Sequence, residues 1–230
     1  MDTIMAVIQK LGPEIINRTL EHIYLVFLSM VIAVVIALPL GIYLSKSNRL
    51  KLVSAIMGLA GIIQTVPSLA LIAFIVVIFA IISLPTIGTV PAIVALILYA
   101  LLPILRNTYT GIRQVDKSII EVATGMGMTP HQILFSVELP LSLPVIMAGI
   151  RIATVWTIGV ATLCGLIGAG GLGDLIIKGL RSIQVDYLLA GTIPAAILAI
   201  IFDWALSRLE KWLTPAGLQK EIVSDNYTKN

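Results

Sequence analysis

Five long apolar stretches dominate the pattern of hydrophobic and polar positions along this chain. A helix needs about 20 mostly apolar residues to cross the roughly 30 Å hydrocarbon core of a bilayer. The pattern therefore predicts an all-α integral membrane protein with five transmembrane helices. The predicted spans cover residues 23–44, one span within 52–84, and residues 90–105, 144–167 and 188–206.

The second stretch is longer than one straight span and is interrupted near Pro67. Proline has no backbone N–H and disfavours the helical conformation of the residue before it, so a break is expected there. We interpret the stretch as one span preceded by an interfacial helix, with six spans in the chain as the alternative.

The composition supports a membrane protein and argues against other classes. Hydrophobic residues make up 58% of the chain and charged residues 12%, against about 45–50% and about 25% in soluble domains. The net charge is only +3 and no basic run is interleaved with aromatics, so nucleic-acid binding is not expected. The single cysteine, Cys164, can form neither an intrachain disulfide nor a thiolate metal cluster, and no metal site is expected.

The lysines and arginines predict the orientation, because positive residues are retained in the cytoplasm. With the N-terminus outside and the C-terminus cytoplasmic, ten basic residues outside the spans lie inside the cell and four lie outside it. Residues 1–22 then form an external segment and residues 215–230 a cytoplasmic polar tail. Arg151 lies about 10 Å into the fourth span, so we expect it to snorkel to the cytoplasmic face. Asp203 is expected at the membrane interface.

The longest predicted cytoplasmic loop, residues 106–143, carries signals for two short helices. Ser118 and Glu121 have the spacing of a capping box, which predicts a helix that begins near Ile119 and stops at Gly125 or Gly127.

A second capping box follows at Thr129 and Gln132, with Pro130 at the first helical position, where its missing N–H costs nothing. Leu139 and Pro140 are expected to end that second helix. The pattern alone is equally consistent with an amphipathic loop lying on the bilayer and with a docking element for a partner.

The same loop carries a family motif. The sequence E-V-A-T-G-M-G, followed after nine residues by V-E-L-P, resembles the cytoplasmic EAA motif of permease subunits of binding-protein-dependent ABC importers. That motif reads E-A-A-x-x-x-G-x9-I-x-L-P. Val122 and Val137 replace its first alanine and its isoleucine. The positions that match are Glu121, Ala123, Gly127, Leu139 and Pro140.

The resemblance implies that this loop docks on a cytoplasmic ABC ATPase. Glu121 is then expected to serve in coupling to the ATPase, beside a capping role in the first turn of its helix. ATP and Mg²⁺ would be bound by the partner, so this chain is expected to bind no cofactor and to be a transport subunit rather than an enzyme. It contains no G-x-x-x-x-G-K-[ST] phosphate-binding motif.

Residues 19–214, the predicted permease domain, are similar to multi-pass cell-membrane permeases of the osmoprotectant branch. Stretches such as IQTVPSLALIAFIV and LPVIMAGIRIATVWTIGVATL carry this likeness. It implies import of glycine betaine, carnitine or choline, delivered by an extracellular binding protein. The alternative is an amino-acid or methionine-type importer. A second permease copy or paralogue is expected within the lipid bilayer, because five spans enclose little space.

Aromatic residues in the spans are candidates for the substrate path, because quaternary ammonium groups bind against aromatic faces. Trp156, Tyr99 and Phe74 lie within predicted spans, and ordinary packing is the alternative for each. A secondary transporter, a channel or an intramembrane enzyme would show acidic, histidine or catalytic groups inside the spans. His22 and His131 are both expected outside them, so these rival classes are not favoured.

The segment IGAGGLGD contains the spacing G-x-G-x-x-G. That spacing binds a dinucleotide only between a buried strand and a helix, whereas here it follows a predicted span and lies outside the cytoplasm. In the resembling permeases the segment closes the external end of the fourth span. It is therefore expected to form an external gate loop that includes Gly168, Gly170, Gly171 and Gly173.

Overall fold

The regular elements of the described chain are all helices. A computed structural model describes the backbone of residues 2–214 and the side chains of residues 11–214, so the predicted tail at 215–230 lies outside the described residues. The longer elements are α1 (Asp2–Lys46), α2 (Leu50–Thr65), α3 (Ser68–Ile81), α4 (Thr89–Arg113), α7 (Leu139–Leu163), α8 (Leu172–Ser182) and α9 (Val185–Leu213). Two short helices, α5 (Lys117–Gly125) and α6 (Pro130–Ile133), lie between α4 and α7.

Within residues 2–214, four stretches are long and apolar enough to cross a bilayer: Leu11–Lys46, Thr89–Arg113, Pro130–Ile167 and Val185–Leu213. Helices α2 and α3 form a fifth candidate span, bent by 106° at their junction. The predicted break near Pro67 is confirmed, and counting the bent pair as one span gives the five predicted spans. The Tyr99 hydroxyl of α4 donates a hydrogen bond to the Val66 carbonyl at this break.

The first helix is much longer than the predicted span at residues 23–44. Helix α1 has 45 residues, a length of about 67 Å at 1.5 Å per residue, whereas the hydrocarbon core is about 30 Å thick. The segment predicted before the first span is therefore helical where it is described, and it continues the first span without a break.

Helix α4 lies at the centre of the bundle, between α1 and α7. Small residues let these helices approach closely. A Cβ at Gly41 of α1 would lie 2.7 Å from Thr108 Cβ, and a Cβ at Gly149 of α7 would lie 2.5 Å from Asn107 Cβ. The close packing fixes α7 against α4, and α7 carries Arg151 and Trp156, which are discussed below.

Candidate functional site

The chain between α4 and α7 folds into a helical knob, which we define as residues 117–138. It consists of α5, α6 and a π-helical turn at Leu134–Glu138. Ala123 and Ile133 are buried in it. Its outer surface includes four large exposed apolar side chains, at Ile119, Val122, Met126 and Phe135.

Helix α5 is capped by Asp116, whose carboxylate accepts the Ser118 N–H at 2.9 Å. This hydrogen bond holds the pKa of Asp116 below its usual range. The capping box predicted at Ser118 and Glu121 is wrong, because the helix begins at Lys117 and the residue before it is an aspartate, a strong capping residue. Glu121 lies beyond the first turn and is exposed, so capping does not occupy its carboxylate.

The turn between the two knob helices depends on Gly127. Its φ of +81° lies in the left-handed region, where a Cβ is penalised. The Gly127 N–H donates to the Thr124 carbonyl at 2.9 Å and the Met128 N–H donates to the Ala123 carbonyl at 3.2 Å. This pair of bonds is a Schellman motif, and the predicted glycine stop is confirmed.

The second predicted capping box is also confirmed. Thr129 Oγ1 accepts the Gln132 N–H at 3.3 Å, and Gln132 Oε1 accepts the Thr129 N–H at 2.8 Å. Pro130 occupies the start of α6, as expected. The entry into the second knob helix is therefore fixed by reciprocal bonds from two side chains.

The expectation that Leu139 and Pro140 end the second helix is wrong. The chain continues through the π-helical turn directly into α7, and the Leu139 N–H donates to the Leu134 carbonyl five residues earlier. The wider turn accommodates Pro140, which has no N–H and would clash with a carbonyl in a regular helix. The knob is thus continuous with a membrane-spanning helix.

An ion pair ties this turn to α1. The Glu138 carboxylate pairs with the Lys46 ammonium at the last residue of α1, and Glu138 is only 2% exposed. A buried charge is tolerated when it is paired. Sequence reasoning missed this pair, because no local pattern links a residue at the end of the first helix to one in the motif.

At the far end of α7, the glycine segment uses left-handed backbone at three of its four predicted positions. Gly168, Gly170 and Gly171 have φ values of +69°, +82° and +74°. Gly173 lies in α8, and a Cβ there would overlap the Thr162 carbonyl oxygen of α7. The glycines therefore turn the chain sharply and allow α8 to pack directly on the end of α7.

A side-chain cluster on α1 holds this segment. Glu21 Oε2 accepts the Gly171 N–H at 2.9 Å, and a Cβ at Gly170 would lie only 2.6 Å from the same oxygen. Arg18 Nη1 pairs with Glu21 at 2.8 Å and with Asp174 at 3.2 Å. One carboxylate and one guanidinium thus connect α1 to the glycine segment and to α8.

His22 lies beside this cluster, on the inner face of α1. It is fully buried, and its ring nitrogen Nε2 lies 3.2 Å from the Ile158 carbonyl oxygen. His22 lies within the candidate stretch Leu11–Lys46, which is longer than a bilayer is thick, so the expectation that it falls outside the spans stays a prediction. His131 lies in α6, at the start of the stretch that continues into α7.

The three predicted aromatic residues lie in different surroundings. Trp156 of α7 and Phe74 of α3 are 54% and 58% exposed on the surface of the single chain. Tyr99 is buried in the core and hydrogen-bonded at the break between α2 and α3. The structure of the chain does not bring the three rings together into one site.

Arg151 is held by two carboxylates of α9. Its Nε and Nη2 atoms donate to the two oxygens of Asp203 at 3.0 and 3.2 Å, and Nη1 donates to Glu210 at 3.1 Å. The guanidinium is therefore fixed against α9, and its expected snorkelling to the cytoplasmic face stays a prediction. The sequence analysis treated Arg151 and Asp203 separately. Two opposite charges inside apolar stretches are a signal that could have predicted this pair.

Comparison with known protein families assigns the chain. A family described as "binding-protein-dependent transport system inner membrane component" matches residues 37–215, which include the knob and the glycine segment. The chain belongs to this family. It is therefore an inner-membrane transport subunit with several membrane-spanning helices.

Curated relatives cover almost the whole chain. The choline transport system permease protein OpuBB of Bacillus subtilis (strain 168) is 47% identical over 220 residues, 96% of this chain and 98% of that protein. The glycine betaine/carnitine/choline transport system permease protein OpuCB of the same organism is 45% identical over 96% of this chain and 100% of that protein. The osmoprotectant import permease protein OsmW of Salmonella typhimurium is 39% identical over 95% and 100%.

Solved structures share the fold. The MetNI methionine ABC transporter in an inward-facing conformation matches 87% of this chain and 96% of the solved chain, with a TM-score of 0.78 and 25% identity. An amino acid ABC transporter chain matches with a TM-score of 0.75 at 17% identity, a likeness of fold alone. The architecture of the described chain is therefore that of ABC importer permeases.

Proposed function

We propose that this chain is the permease subunit of an ATP-driven ABC importer for a quaternary ammonium osmoprotectant: glycine betaine, carnitine or choline. The observation that carries the proposal is 45–47% identity, over nearly the whole chain, to permeases whose names specify these substrates. A third relative, 39% identical, is named for osmoprotectant import. A substrate delivered by an extracellular binding protein accords with the family to which the chain belongs.

In this proposal the helical knob docks on a cytoplasmic ABC ATPase, which binds ATP and Mg²⁺ and supplies the energy. Its support is a compact, capped surface with four large exposed apolar side chains. Glu121 is exposed beside them and serves in coupling, since Asp116 does the capping. Exposed apolar clusters of this kind are typical of surfaces that meet a protein partner.

The proposed orientation places the N-terminus outside and the C-terminus in the cytoplasm. The distribution of lysine and arginine supports it. In this orientation the knob lies on the cytoplasmic side, and the gate loop with Gly168, Gly170, Gly171 and Gly173 lies on the outer side, facing the binding protein.

The substrate path is proposed to form between two permease chains, identical or paralogous. One chain exposes Trp156 and Phe74 on its membrane-spanning surface, where a second permease could cover them. Symmetric pairing is the common way for one such chain to enclose a channel. Tyr99 is assigned a supporting role at the helix break rather than direct contact with the substrate, because it is buried.

A methionine-type importer is the second candidate, favoured by the fold shared with the MetNI transporter. One experiment separates the two. The chain is reconstituted in liposomes with its partner ABC ATPase and binding protein, and ATP-driven uptake of labelled glycine betaine, carnitine, choline and methionine is measured. Uptake of a quaternary ammonium compound supports the proposal, whereas uptake of methionine alone contradicts it. Liposomes without ATP are the control.

A further inference from the structure

A groove on the membrane-spanning surface combines a cation, a carboxylate and an indole. It has a volume of about 420 Å³ and is lined by Ala148, Arg151, Ile152, Val155, Trp156 and Asp203. We propose that this groove binds the transported zwitterion inside the membrane. Its carboxylate would bind Arg151, and its quaternary ammonium would lie between Asp203 and Trp156. The inference rests on the proposed function and adds to it a site and the chemistry of recognition.

The depth of the charged pair is the first argument. Arg151 lies about 10 Å inside the predicted fourth span, and Asp203 about 5 Å before the end of the predicted fifth span. Both residues fall inside candidate spans. Their side chains are 30% and 44% exposed on the single chain. Charges at this depth face a bundle interior or a water-filled cavity rather than lipid, so this face borders an aqueous path.

The geometry of Arg151 is the second argument. Its guanidinium makes three hydrogen bonds, two to Asp203 and one to Glu210, and a guanidinium has five N–H donors. Two donors therefore remain for a ligand. The two carboxylates hold the planar group in place, so a ligand that binds it meets a site that is already ordered.

The position of the indole is the third argument. Ala148, Ile152 and Trp156 follow one another at intervals of four residues, so they share one face of α7. Arg151 and Val155 form the adjacent row. Arg151 and Trp156 both line the groove, at its two edges, because five residues separate them by about 7.5 Å along the helix axis and about 140° around it.

The ligand that suits this arrangement carries both charges. A carboxylate is bound by charge-assisted N–H donors of an arginine, and a quaternary ammonium is attracted to the face of a tryptophan and to a nearby carboxylate. Glycine betaine and carnitine have both groups, whereas choline has only the ammonium. The groove volume also lies within the roughly 300–1,000 Å³ that is usual for small-molecule sites.

The test compares two substrates in the reconstituted importer. Arg151→Lys keeps the charge but removes the planar fork. We expect it to lower glycine betaine uptake relative to choline uptake about tenfold, the effect of losing one charged hydrogen bond. Trp156→Leu should lower the uptake of both substrates, and Trp156→Phe should restore most of it. Arg208→Lys is the matched control, because Arg208 lies over the Trp204 ring outside this groove.

Equal loss of both substrates in Arg151→Lys, with normal assembly, would assign Arg151 a structural role and overturn the inference. Unchanged uptake in both Arg151→Lys and Trp156→Leu would overturn it as well. Failure of the proposed function is recognised separately, because the unmodified chain would then import neither compound.

A second measurement does not depend on the charged residues. Ile152→Cys is treated with a charged, water-soluble thiol reagent in an otherwise unchanged chain, where the natural cysteine, Cys164, is buried. Reaction that glycine betaine slows supports an aqueous binding groove. If the thiol introduced at this position does not react, the face contacts lipid, and that result overturns the inference.

Discussion

The Glu138 carboxylate is buried against the Lys46 ammonium, so the end of α1 is tied to the turn from which α7 begins. Lys46 is the only charged partner that the structure gives Glu138 among the described side chains. The longest helix and the helical knob are thus connected by one ion pair.

Replacing Lys46 with methionine should destabilise the protein. The variant leaves a buried carboxylate unpaired, which for a fully buried pair costs about 3–5 kcal/mol. Because the Lys46 side chain is 44% exposed, we expect the smaller cost of about 1–3 kcal/mol that is typical of an unsatisfied group. Thermal unfolding of the purified protein measures it. Lys51→Met, at an exposed lysine, is the control, and equal melting temperatures for the two variants would contradict the prediction.

Gly127 should be intolerant of substitution, unlike its neighbour Gly125. A Cβ at either glycine meets no atom within 4 Å, and only Gly127 has a positive φ. A non-glycine residue in that conformation costs about 1–2 kcal/mol, which should open the Schellman turn. Gly127→Arg is expected to insert into the membrane normally but to lose association with the ATPase in a pull-down. Gly125→Ala should associate normally, and retention by both variants would exclude this role.

The observed cap of α5 predicts that Asp116→Ala weakens ATPase association more than Ser118→Ala does. Asp116 accepts the Ser118 N–H through its carboxylate, whereas the Ser118 hydroxyl is not the cap. Because folding lowers the pKa of Asp116, the stabilisation is present at neutral pH and is lost as the pH falls through that lowered value. Pull-down with the ATPase measures the association, and hydrogen exchange of the α5 amides at neutral and acidic pH measures the loss of the cap. Equal exchange in the two variants would be inconsistent with this cap.

Gly173 and Gly170 should be required for uptake but not for ATPase association. Alanine at Gly173 overlaps the Thr162 carbonyl oxygen, and any side chain at Gly170 meets Glu21 in a left-handed backbone. Gly173→Ala and Gly170→Val are therefore expected to displace α8 and to reduce uptake in proteoliposomes, with normal pull-down of the ATPase. Gly159→Ala is the control, since a Cβ there meets no atom within 4 Å. If the Gly173→Ala variant no longer associates with the ATPase, the substitution does not act on the outer segment alone, and the prediction is wrong.

Tyr99→Phe should lower stability by about 1 kcal/mol, the net value of one hydrogen bond. The hydroxyl donates to the Val66 carbonyl at the break between α2 and α3, and the ring is buried. We expect a lower melting temperature with an unchanged KM for uptake. A changed KM with an unchanged melting temperature would instead indicate that Tyr99 contacts the substrate.

Local signals in the sequence predicted most of the fold. The break at Pro67, the glycine stop at Gly127 and the box at Thr129 each depend on the chemistry of one to three neighbouring residues, and each is present in the structure. The error at Ser118 arose because Asp116, two residues earlier, is also of a type that caps helices, and a one-letter pattern does not decide which side chain accepts the backbone N–H.

Long-range pairings could not be predicted in this way. Arg151 is paired with residues 52 and 59 positions away, so its partners follow from the packing of α7 on α9. The error at Pro140 has a different origin. A proline usually ends a regular helix, because it cannot donate the backbone hydrogen bond. A single wider turn before the proline lets the helix continue without that bond. Nothing in the local sequence distinguishes the two outcomes.

The π-helical turn at Leu134–Glu138 joins α6 to α7 in one continuous helical rod. Within the described residues, no flexible linker separates α6 of the knob from α7, the helix that carries Trp156. A partner that displaces the knob would therefore tilt α7 about its close contact with α4 at Gly149. The other end of α7 leads into the glycine segment, so one tilt of this helix would move both the cytoplasmic and the outer end of the proposed substrate path.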